Sequence, residues 1–375
     1  MTKESGPRLI AVLSFFWALI FVAVALLLFI SRQPERTAQT RDSLIVGQSF
    51  PLRGVPPEAF ALVGSTLIRV EEEGLAVLDV SGREQSFISF PYRQSQVTAM
   101  GEGLLVTPVQ GSGYMAVFPD LSTYGSDTRE IIYGGDYRDP FLLTFGPSLK
   151  GRIVASLFDT RTGSYQTVLT FSSLEWPVSL SFIPGTDQFD VLMLDLSQGK
   201  METRYLRCDF DGKPLTDVIL STGQLFPLRV HLGGGKALFY NEREMVLFDP
   251  LTGAREAASL PGIPVQSESA GARLVLLLEE GGNAGLFVTS ASEYSGAGSS
   301  FQSLEGPGRI SCFALTPDGV SILAASGEEL LLYNTDTGQV LARQEVDREV
   351  ARILALSNRH FLVIDEEEAA IITLG

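Results

Sequence analysis

Three residue types that carry much of protein chemistry are scarce in this 375-residue chain, which has two cysteines, two histidines and two tryptophans. Cys208 and Cys312 cannot build a disulfide framework or the ligand spacing of a zinc site, and their strand-like surroundings predict buried, inert thiols. His231 and His360 lie in strand patterns without a nucleophile elbow or a second histidine at ligand spacing. Neither histidine therefore predicts a catalytic triad or a histidine-ligated metal.

Basic residues are also in deficit, with 28 Lys and Arg against 44 Asp and Glu and a net charge of -16. Five of those basic residues and three of the acidic ones fall within residues 1–42, which leaves 23 basic and 41 acidic side chains in the rest. An acidic body of this size repels nucleic acid phosphates and anionic lipid headgroups. The composition therefore predicts that the protein does not bind nucleic acid.

The sequence also lacks motifs for cofactors and metal ions. Residues 233–236 read GGGK, but the P-loop spacing and a following helix are missing, so we interpret them as a turn between strands. No Asp-x-Asp-x-Asp-Gly calcium loop is present. We therefore expect no cofactor, no dedicated metal site and no catalytic residues.

What the chain does contain, near its start, is a long apolar run. Residues 9–30 read LIAVLSFFWALIFVAVALLLFI, and these 22 uncharged residues are about enough to cross a hydrocarbon core of roughly 30 Å. A cleaved signal peptide has a shorter apolar region followed by a small-residue site, so we interpret the run as a transmembrane helix that binds the lipid bilayer. Residues 1–8 then form a tail, residues 31–42 a stalk broken by a proline, and residues 43–375 a separate domain.

The charges around this run leave its orientation open. Two basic residues precede it and three follow it, a count that favours a cytoplasmic C-terminal domain. Long domains translocate largely regardless of charge, however, and an N-terminal anchor with a tiny tail commonly leaves that tail in the cytoplasm. We therefore expect a single-pass protein of the cytoplasmic membrane whose domain lies outside the cytoplasm.

A short phrase recurs within that domain: an apolar strand, an Asp or Asn, a few turn residues, a Gly and a second strand. It occurs at residues 77–82, 207–212, 247–253 and 332–338. The Asp or Asn can accept hydrogen bonds from its own turn, and the Gly supplies the positive φ of a tight hairpin. The unit recurs at roughly the 40 to 45 residue period of four-stranded propeller blades, which predicts an all-β propeller.

The strand patterns divide the domain into seven complete blades and an incomplete eighth. The eighth has strands only at residues 351–356, 361–364 and 369–374, so we predict that residues 43–47 supply its fourth strand and close the ring, since unpaired strand edges invite aggregation. Eight blades is the favoured count and seven the competing one. In blade three, the corner at residues 159–163 joins either the third and fourth strands or the second and third. The predicted complete blades are residues 59–90, 96–133, 141–171, 178–220, 228–260, 265–304 and 310–346.

Blade seven carries a resemblance to known propellers. Its residues 310–320 read ISCFALTPDGV, with a Pro-Asp-Gly turn between the first two strands, and residues 332–338 form its corner. This pattern resembles the WD40 and YVTN repeat propellers. No Trp-Asp or Gly-His pair occurs, and the tryptophans are Trp17 and Trp176, so neither a true WD40 protein nor a tryptophan-docked quinoprotein is indicated. The whole chain resembles membrane-anchored propeller-like proteins of bacteria, a resemblance that implies a fold rather than a chemistry.

Turns between the second and third strands are acidic in five of the predicted blades. All such turns emerge on one face of a propeller, so their carboxylates would form a broken ring around one mouth of the central channel. The ring is either a set of solvated turn residues or a docking face for a protein partner, a cationic one in particular, with a weak hard-cation site as a further variant. These acidic turns comprise Glu71, Glu72, Glu73, Glu242, Glu244, Glu279, Glu280, Glu328, Glu329, Glu366, Glu367 and Glu368.

Three hypotheses about function follow. The favoured one is a membrane-anchored, non-enzymatic binding or scaffold module of the cell envelope. The second is a hydrolase or lyase that uses carboxylates with Arg or Tyr at the central channel. The third is a sensory or assembly subunit of a membrane complex, which differs from the first only in its partner. An enzyme predicts Asp, Glu, Arg and Tyr side chains with perturbed pKa values converging at a channel mouth.

Overall fold

The strands of this chain pair into eight antiparallel sheets of four strands each. The computed structural model describes residues 43–126, 131–232, 235–271, 273–290, 302–304 and 308–375. Seven sheets use four strands that are consecutive in the sequence, and the eighth combines the last three strands with the first. The predicted propeller and its count of eight blades are therefore confirmed.

The strands are numbered β1 to β32 in chain order, and each blade is described from its first strand to its fourth. Blade one holds β2 (Phe60–Val63), β3 (Thr66–Val70), β4 (Gly74–Leu78) and β5 (Glu84–Ser89), preceded by a short 3-10 helix, Pro57–Ala59. Blade two holds β6 (Ser95–Met100), β7 (Gly103–Pro108), β8 (Tyr114–Val117) and β9 (Thr123–Ser126). Blade three holds β10 (Gly134–Arg138), β11 (Phe141–Pro147), β12 (Ile153–Asp159) and β13 (Tyr165–Thr170). Blade four holds β14 (Glu175–Phe182), β15 (Gln188–Asp195), β16 (Glu202–Asp209) and β17 (Pro214–Thr222).

The second half of the ring continues in the same way. Blade five holds β18 (Leu228–His231), β19 (Ala237–Tyr240), β20 (Glu244–Phe248) and β21 (Arg255–Ser259). Blade six holds β22 (Ile263–Ala270), β23 (Arg273–Glu280), β24 (Asn283–Ser290) and β25 (Gln302–Ser303). Blade seven holds β26 (Cys312–Leu315), β27 (Ser321–Ser326), β28 (Glu329–Asn334) and β29 (Val340–Glu345). Blade eight holds β30 (Arg352–Ala355), β31 (His360–Ile364), β32 (Glu368–Leu374) and β1 (Leu44–Pro51).

The repeated phrase forms the corner between the third and fourth strands, as predicted. Asp79 shows the chemistry: its Oδ1 accepts hydrogen bonds from the backbone N–H of Ser81 at 2.8 Å and of Arg83 at 3.0 Å. Gly82 follows with φ at 72°, and a Cβ added there would lie 2.2 Å from the Phe50 ring, so the position needs glycine. Asp159 accepts from its own turn in the same manner, which assigns the corner of blade three to its third and fourth strands.

The first strand of the domain closes the ring. β1 runs antiparallel to β32, with Leu44 opposite Leu374 and Pro51 opposite Glu368. Phe50 is buried among the apolar side chains between blades eight and one. The predicted pairing of residues 43–47 with the C-terminal strands is therefore confirmed, and the observed strand extends to Pro51.

Apolar side chains fill the space between adjacent blades. Eight clusters of buried residues are present, and each of the eight interfaces around the ring contains one. Cys208 and Cys312 are buried in two of them, as predicted, and burial raises the pKa of Cys208 to about 12 and of Cys312 to about 11. Both thiols are therefore protonated and unreactive at neutral pH.

The start of blade three differs from the sequence prediction. We placed its first strand at residue 141, whereas the structure begins the blade with β10, Gly134–Arg138. Its Gly-Gly-Asp opening is typical of a turn, but a Cβ on Gly135 would lie 2.5 Å from the Leu143 carbonyl oxygen. Glycine here allows close approach of two backbones rather than a bend. Blade two correspondingly ends with β9, before residue 133.

The two faces of the propeller carry different connections. The turn face holds the turns between second and third strands and the connections between blades, and the corner face holds the turns between first and second strands and the corners. Leu44 pairs with Leu374 at the corner face, so β1 begins on that side. No helix among the described residues has the length and apolar character needed to span a membrane, and the predicted anchor, residues 9–30, lies outside them, as do the tail and the stalk.

Candidate functional site

The acidic turns lie where the sequence places them. Each lies in a connection between the second and third strands of blades one, five, six, seven or eight, or at the strand end beside that connection. These five blades are neighbours in the ring, because blade eight adjoins blade one. The structure therefore brings the carboxylates together as one arc of the turn face, and whether that arc binds a partner stays a prediction.

Arginines within the propeller neutralise part of this arc. Glu71 pairs with Arg69 at 2.5 Å, Glu279 with Arg309 at 3.1 Å, Glu329 with Arg343 at 3.6 Å and Glu367 with Arg348 at 2.8 Å. The other acidic turn residues form no ion pair with any described residue, and most of them are well exposed. These carboxylates without an ion pair are Glu72, Glu73, Glu242, Glu244, Glu280, Glu328, Glu366 and Glu368.

The remaining three blades present apolar side chains at the same positions. Val109, Leu149 and Leu196, here called the apolar turns, occupy the second-to-third connections of blades two, three and four. All three are exposed, Leu149 by 78%. Leu174 and Trp176 adjoin Leu196 on this face, because the Leu196 N–H donates to the Leu174 carbonyl at 2.9 Å, and Trp176 is half exposed. The second-to-third connections therefore hold acidic side chains in five blades and exposed apolar side chains in the other three, a division that the sequence analysis missed.

A groove opens on the acidic part of the turn face, between blades one and two. Its volume is about 980 Å³, and Glu72 and Glu73 line one side. Pro91 and Tyr92, from the connection between the two blades, line its floor together with Arg93. Such a groove suits an extended basic peptide. The carboxylates would attract its positive charges, and Tyr offers contact area at low entropic cost.

A second cavity, of about 1050 Å³, lies on the opposite side, at the corner-face mouth of the channel. The first strands of blades two to six, or the turns that follow them, supply its walls. Charged side chains from several blades converge here. The charged and histidine residues that line it are Glu102, Asp120, Asp136, Arg138, Asp139, Arg229 and His231.

Several of these groups hold the blades together. The Asp136 carboxylate accepts hydrogen bonds from the Tyr137 N–H at 2.8 Å and from the Phe182 N–H of blade four at 2.7 Å, and burial raises its pKa. Arg138 donates to the Ile183 carbonyl at 3.2 Å and lies over the Phe182 ring. Burial together with the Asp139 charge raises the pKa of Tyr137 to about 12. Groups with shifted pKa values therefore do converge at a channel mouth. Asp136 and Arg138, however, form their hydrogen bonds with backbone atoms.

The same type of contact recurs farther around the ring. Glu268 in β22 accepts a hydrogen bond from the Leu315 N–H of blade seven at 2.6 Å, and burial raises the pKa of Glu268 to about 7. Arg352 in β30 donates to the Glu58 carbonyl ahead of blade one at 2.9 Å, and burial lowers the pKa of Arg352. Polar side chains of first strands thus bridge adjacent blades around the channel.

Arg229 and His231, which line the cavity, belong to a buried ionic cluster between blades four and five. Asp190 in β15 has no exposed surface, and its Oδ1 lies 2.5 Å from Nη1 of Arg229. His231 Nε2 lies 3.4 Å from the other carboxylate oxygen, Oδ2. Arg207 donates to the Tyr205 hydroxyl at 2.9 Å and to the Gly235 carbonyl at 2.7 Å. These five side chains, Asp190, Tyr205, Arg207, Arg229 and His231, are called the ionic cluster below.

The cluster shifts the protonation of its members. Burial lowers the pKa of His231, so the ring is neutral at pH 7. Burial and the Asp190 charge raise the pKa of Tyr205 above its usual range. His231 was expected in an ordinary strand position, and it does lie in a strand, but within a charged interface. His360 is ordinary: its Nδ1 lies 3.0 Å from the Ser357 hydroxyl at the start of β31.

The described residues contain no group of three or more His, Cys, Asp and Glu side chains arranged to hold a metal ion. The sequence matches no protein-family model and no curated protein. The structure is similar to several solved propellers.

One of these is BamB from Moraxella catarrhalis, at 10% identity and a TM-score of 0.50, covering 88% of this chain and 100% of that one. Another is the WD40 domain of SCAP from fission yeast, at 11% identity and a TM-score of 0.52, covering 89% and 98%. The computationally designed protein Ika8 gives 13% identity and a TM-score of 0.58, covering 87% and 100%. At these identities the similarity shows the propeller fold alone, and it agrees with the WD40-like pattern of blade seven.

Proposed function

We propose that this protein is a membrane-anchored, non-enzymatic binding module of the cell envelope, whose turn face docks a protein partner. One observation carries the proposal: the turn face divides into an acidic arc over five consecutive blades and an apolar arc over the other three. Solvated turn residues scattered for solubility alone have no reason to be grouped by blade in this way.

The division also indicates the chemistry of the partner. A basic segment would be attracted by the acidic turns, because complementary charges raise the rate of encounter. Exposed apolar residues such as Leu149 and Trp176 would then contribute the buried contact area that slows dissociation, since aromatic and apolar anchors dominate interface energies. Lys150 and Lys200 lie beside the apolar turns, so the charge changes sign across the face and would fix the orientation of the partner.

The first test compares charge removal on the two faces. Glu72→Gln, Glu328→Gln and Glu366→Gln together should slow association with the partner by roughly tenfold and flatten its salt dependence, because exposed charges act over about 8 Å at physiological ionic strength. Asp187→Asn, Asp211→Asn and Asp336→Asn remove the same charge from exposed positions on the corner face and should leave association unchanged. The partner is first captured on the wild-type chain and rates are then measured by surface plasmon resonance. Equal rates for the two triple variants would make the acidic turns a solubility feature.

Placement at the membrane is a further part of the proposal. Residues 9–30 would anchor the protein in the cytoplasmic membrane, and residues 43–375 would lie outside the cytoplasm. The first described strand, β1, begins at the corner face, on the side opposite the turn face. The alternative of a sensory or assembly subunit of a membrane complex uses the same face and differs only in the partner that is captured.

Protease added to intact cells tests this orientation. We expect the propeller to be degraded while a cytoplasmic control protein stays intact, because the domain is exposed outside the membrane. Degradation that occurs only after lysis, while an external control protein is cut in intact cells, would place the propeller in the cytoplasm.

The enzyme hypothesis gains less from the geometry. Perturbed pKa values at the corner-face mouth are what an enzyme would show, but burial is their main cause and the Asp136 carboxylate is already hydrogen-bonded to two backbone N–H groups. A general base needs a free position within reach of a substrate proton. We therefore propose a binding role for the cavity rather than a catalytic one.

A further inference from the structure

The interface between blades four and five carries a buried ionic cluster near the channel. The rest of that interface is apolar, formed by residues such as Leu192, Phe226 and Phe239. At its channel end, however, the Arg229 guanidinium and the His231 imidazole lie against the buried Asp190 carboxylate, and Arg207 is hydrogen-bonded to Tyr205 and Gly235 in the same cluster. Buried ion pairs are weak contributors to stability, and apolar residues of similar volume often serve as well or better. A charged cluster at this position therefore indicates a role beyond packing.

Arg229 connects this cluster to the cavity. Its side chain is only 7% exposed, and Nη1 is enclosed against Asp190. Nε and Nη2 make no hydrogen bond to any described residue, and unlike Nη1 they are not sealed from solvent. Arg229 lines the cavity, so these two nitrogens hold unused donors at its wall. A guanidinium with one edge fixed and the other edge free is the geometry that receives a carboxylate or phosphate in a bidentate manner.

Neighbouring side chains of the cluster hold this arginine in place at the cavity wall. Asp190 fixes the inner edge of Arg229, and the neutral His231 ring packs beside the same carboxylate. Arg207 is a second positive charge of the cluster, held by the Tyr205 hydroxyl and the Gly235 carbonyl, but it is not among the residues that line the cavity. Asp136 also faces this wall, but its oxygens already accept two backbone N–H groups. The free edge of Arg229 is therefore the part of this wall that can receive an anionic group.

The opposite rim of the cavity has a different chemistry. Glu102, Asp120 and Asp139 are exposed carboxylates from blades two and three, and they can accept hydrogen bonds from hydroxyl groups. Ser181 and Ser269 also line the cavity, and the Ser181 hydroxyl donates to the Phe182 carbonyl at 3.3 Å. At about 1050 Å³, the cavity is large enough for a small organic molecule.

We propose that the corner-face cavity binds a hydroxylated small molecule that carries one carboxylate or phosphate group, with that group held by Arg229. The site is separate from the turn face and does not depend on the proposed partner. Both anionic groups share the same chemistry, two acceptor oxygens facing a guanidinium. The hydroxyl groups of the ligand would face the acidic rim.

Isothermal titration calorimetry on the full-length chain in detergent, at constant ionic strength, tests the site. The probes are inorganic phosphate, gluconate, glucose 6-phosphate and uncharged glucose. We expect glucose 6-phosphate or gluconate to bind at least tenfold more tightly than phosphate, and glucose not to bind. Arg229→Lys keeps a positive charge for Asp190 but loses the planar fork, and should weaken binding at least tenfold. Arg343→Lys, on an outer strand, is the matched control and should bind as the wild type does.

Three results would overturn the proposal. These are no heat of binding for any anion at tens of millimolar, equal affinity of Arg229→Lys and wild type, or equal affinity for glucose and its phosphate. Gluconate binding without glucose 6-phosphate binding would identify a carboxylate ligand, and the reverse a phosphate ligand. If Arg229→Lys does not fold, Ser269→Trp, which fills the cavity without touching the cluster charges, should abolish binding instead.

Discussion

A chain that begins at Leu52 should aggregate or unfold at a temperature where a chain that begins at Ser43 stays folded and monomeric. The first truncation removes β1, the outer strand of blade eight, and leaves β32 with an unpaired edge. Such an edge is a template for pairing with other chains. Both truncations lack residues 1–42, so the difference between them reports β1 alone.

The size of the effect follows from what β1 contributes. It pairs with β32 at six positions and buries Phe50 against the Phe60 ring, with centroids 6.4 Å apart. At about 1 kcal/mol for each lost hydrogen bond and about 2 to 3 kcal/mol for Phe50, the loss exceeds roughly 5 kcal/mol. That is comparable to the whole stability of many domains. Thermal unfolding and size-exclusion chromatography measure it, and equal unfolding temperatures for the two truncations would show that the ring does not need this strand.

Ring closure was predictable because every blade needs four strands, so a blade with a missing strand can be recognised in the sequence. Only three strands follow blade seven, so the eighth blade lacks its fourth strand. Residues 43–47 form an apolar strand that belongs to no other blade. The corners were equally predictable from the sequence. An Asp or Asn accepts hydrogen bonds from the N–H groups of the turn, and a Gly at fixed spacing adopts the positive φ that the turn requires. Asp79 and Gly82 meet these requirements in the structure through two backbone hydrogen bonds and a positive φ. Features that depend on local chemistry and on repetition are therefore visible in one sequence.

Features that depend on which blades are neighbours in the ring could not be predicted from the sequence. β10 was missed because Gly134 and Gly135 are typical of a turn, and only the neighbouring backbone of β11 explains them. The acidic turns were recognised one by one, but their grouping against Leu149 and Leu196 requires the order of the blades around the ring. A search of all second-to-third connections for apolar residues would have found that contrast.

The ionic cluster was the largest omission, and the sequence held a faint signal for it. Arg229 and His231 alternate in the first strand of blade five, and Asp190 interrupts an otherwise apolar second strand in blade four. Each residue alone is compatible with an exposed strand position. Their meeting depends on strands of different blades facing one another across an interface, which is a tertiary property. The absence of catalytic motifs in the sequence therefore did not exclude a polar site built between blades.

Removal of the Asp190 charge should be among the most destabilising single changes in the propeller. Asp190→Asn keeps the shape of the side chain but leaves Arg229, and Arg207 beside it, as buried positive charges without a carboxylate. Breaking a buried pair in this way costs about 3 to 5 kcal/mol. The free energy of unfolding from urea titration measures it. Asp187→Asn, which loses a carboxylate that is 94% exposed and 3.6 Å from Arg138, is the matched control and should change stability by less than about 1 kcal/mol.

A triple variant separates stability from ligand binding. Asp190→Leu, Arg207→Met and Arg229→Met together replace the three charged side chains of the cluster by apolar ones, which is often neutral or stabilising by about 1 to 4 kcal/mol. We therefore expect the triple variant to regain most of the stability that Asp190→Asn loses, while it loses the binding of gluconate and glucose 6-phosphate. A triple variant that is as unstable as Asp190→Asn would mean that the charges themselves hold blades four and five together. Stability of Asp190→Asn equal to that of Asp187→Asn would show that water, rather than Asp190, solvates Arg229.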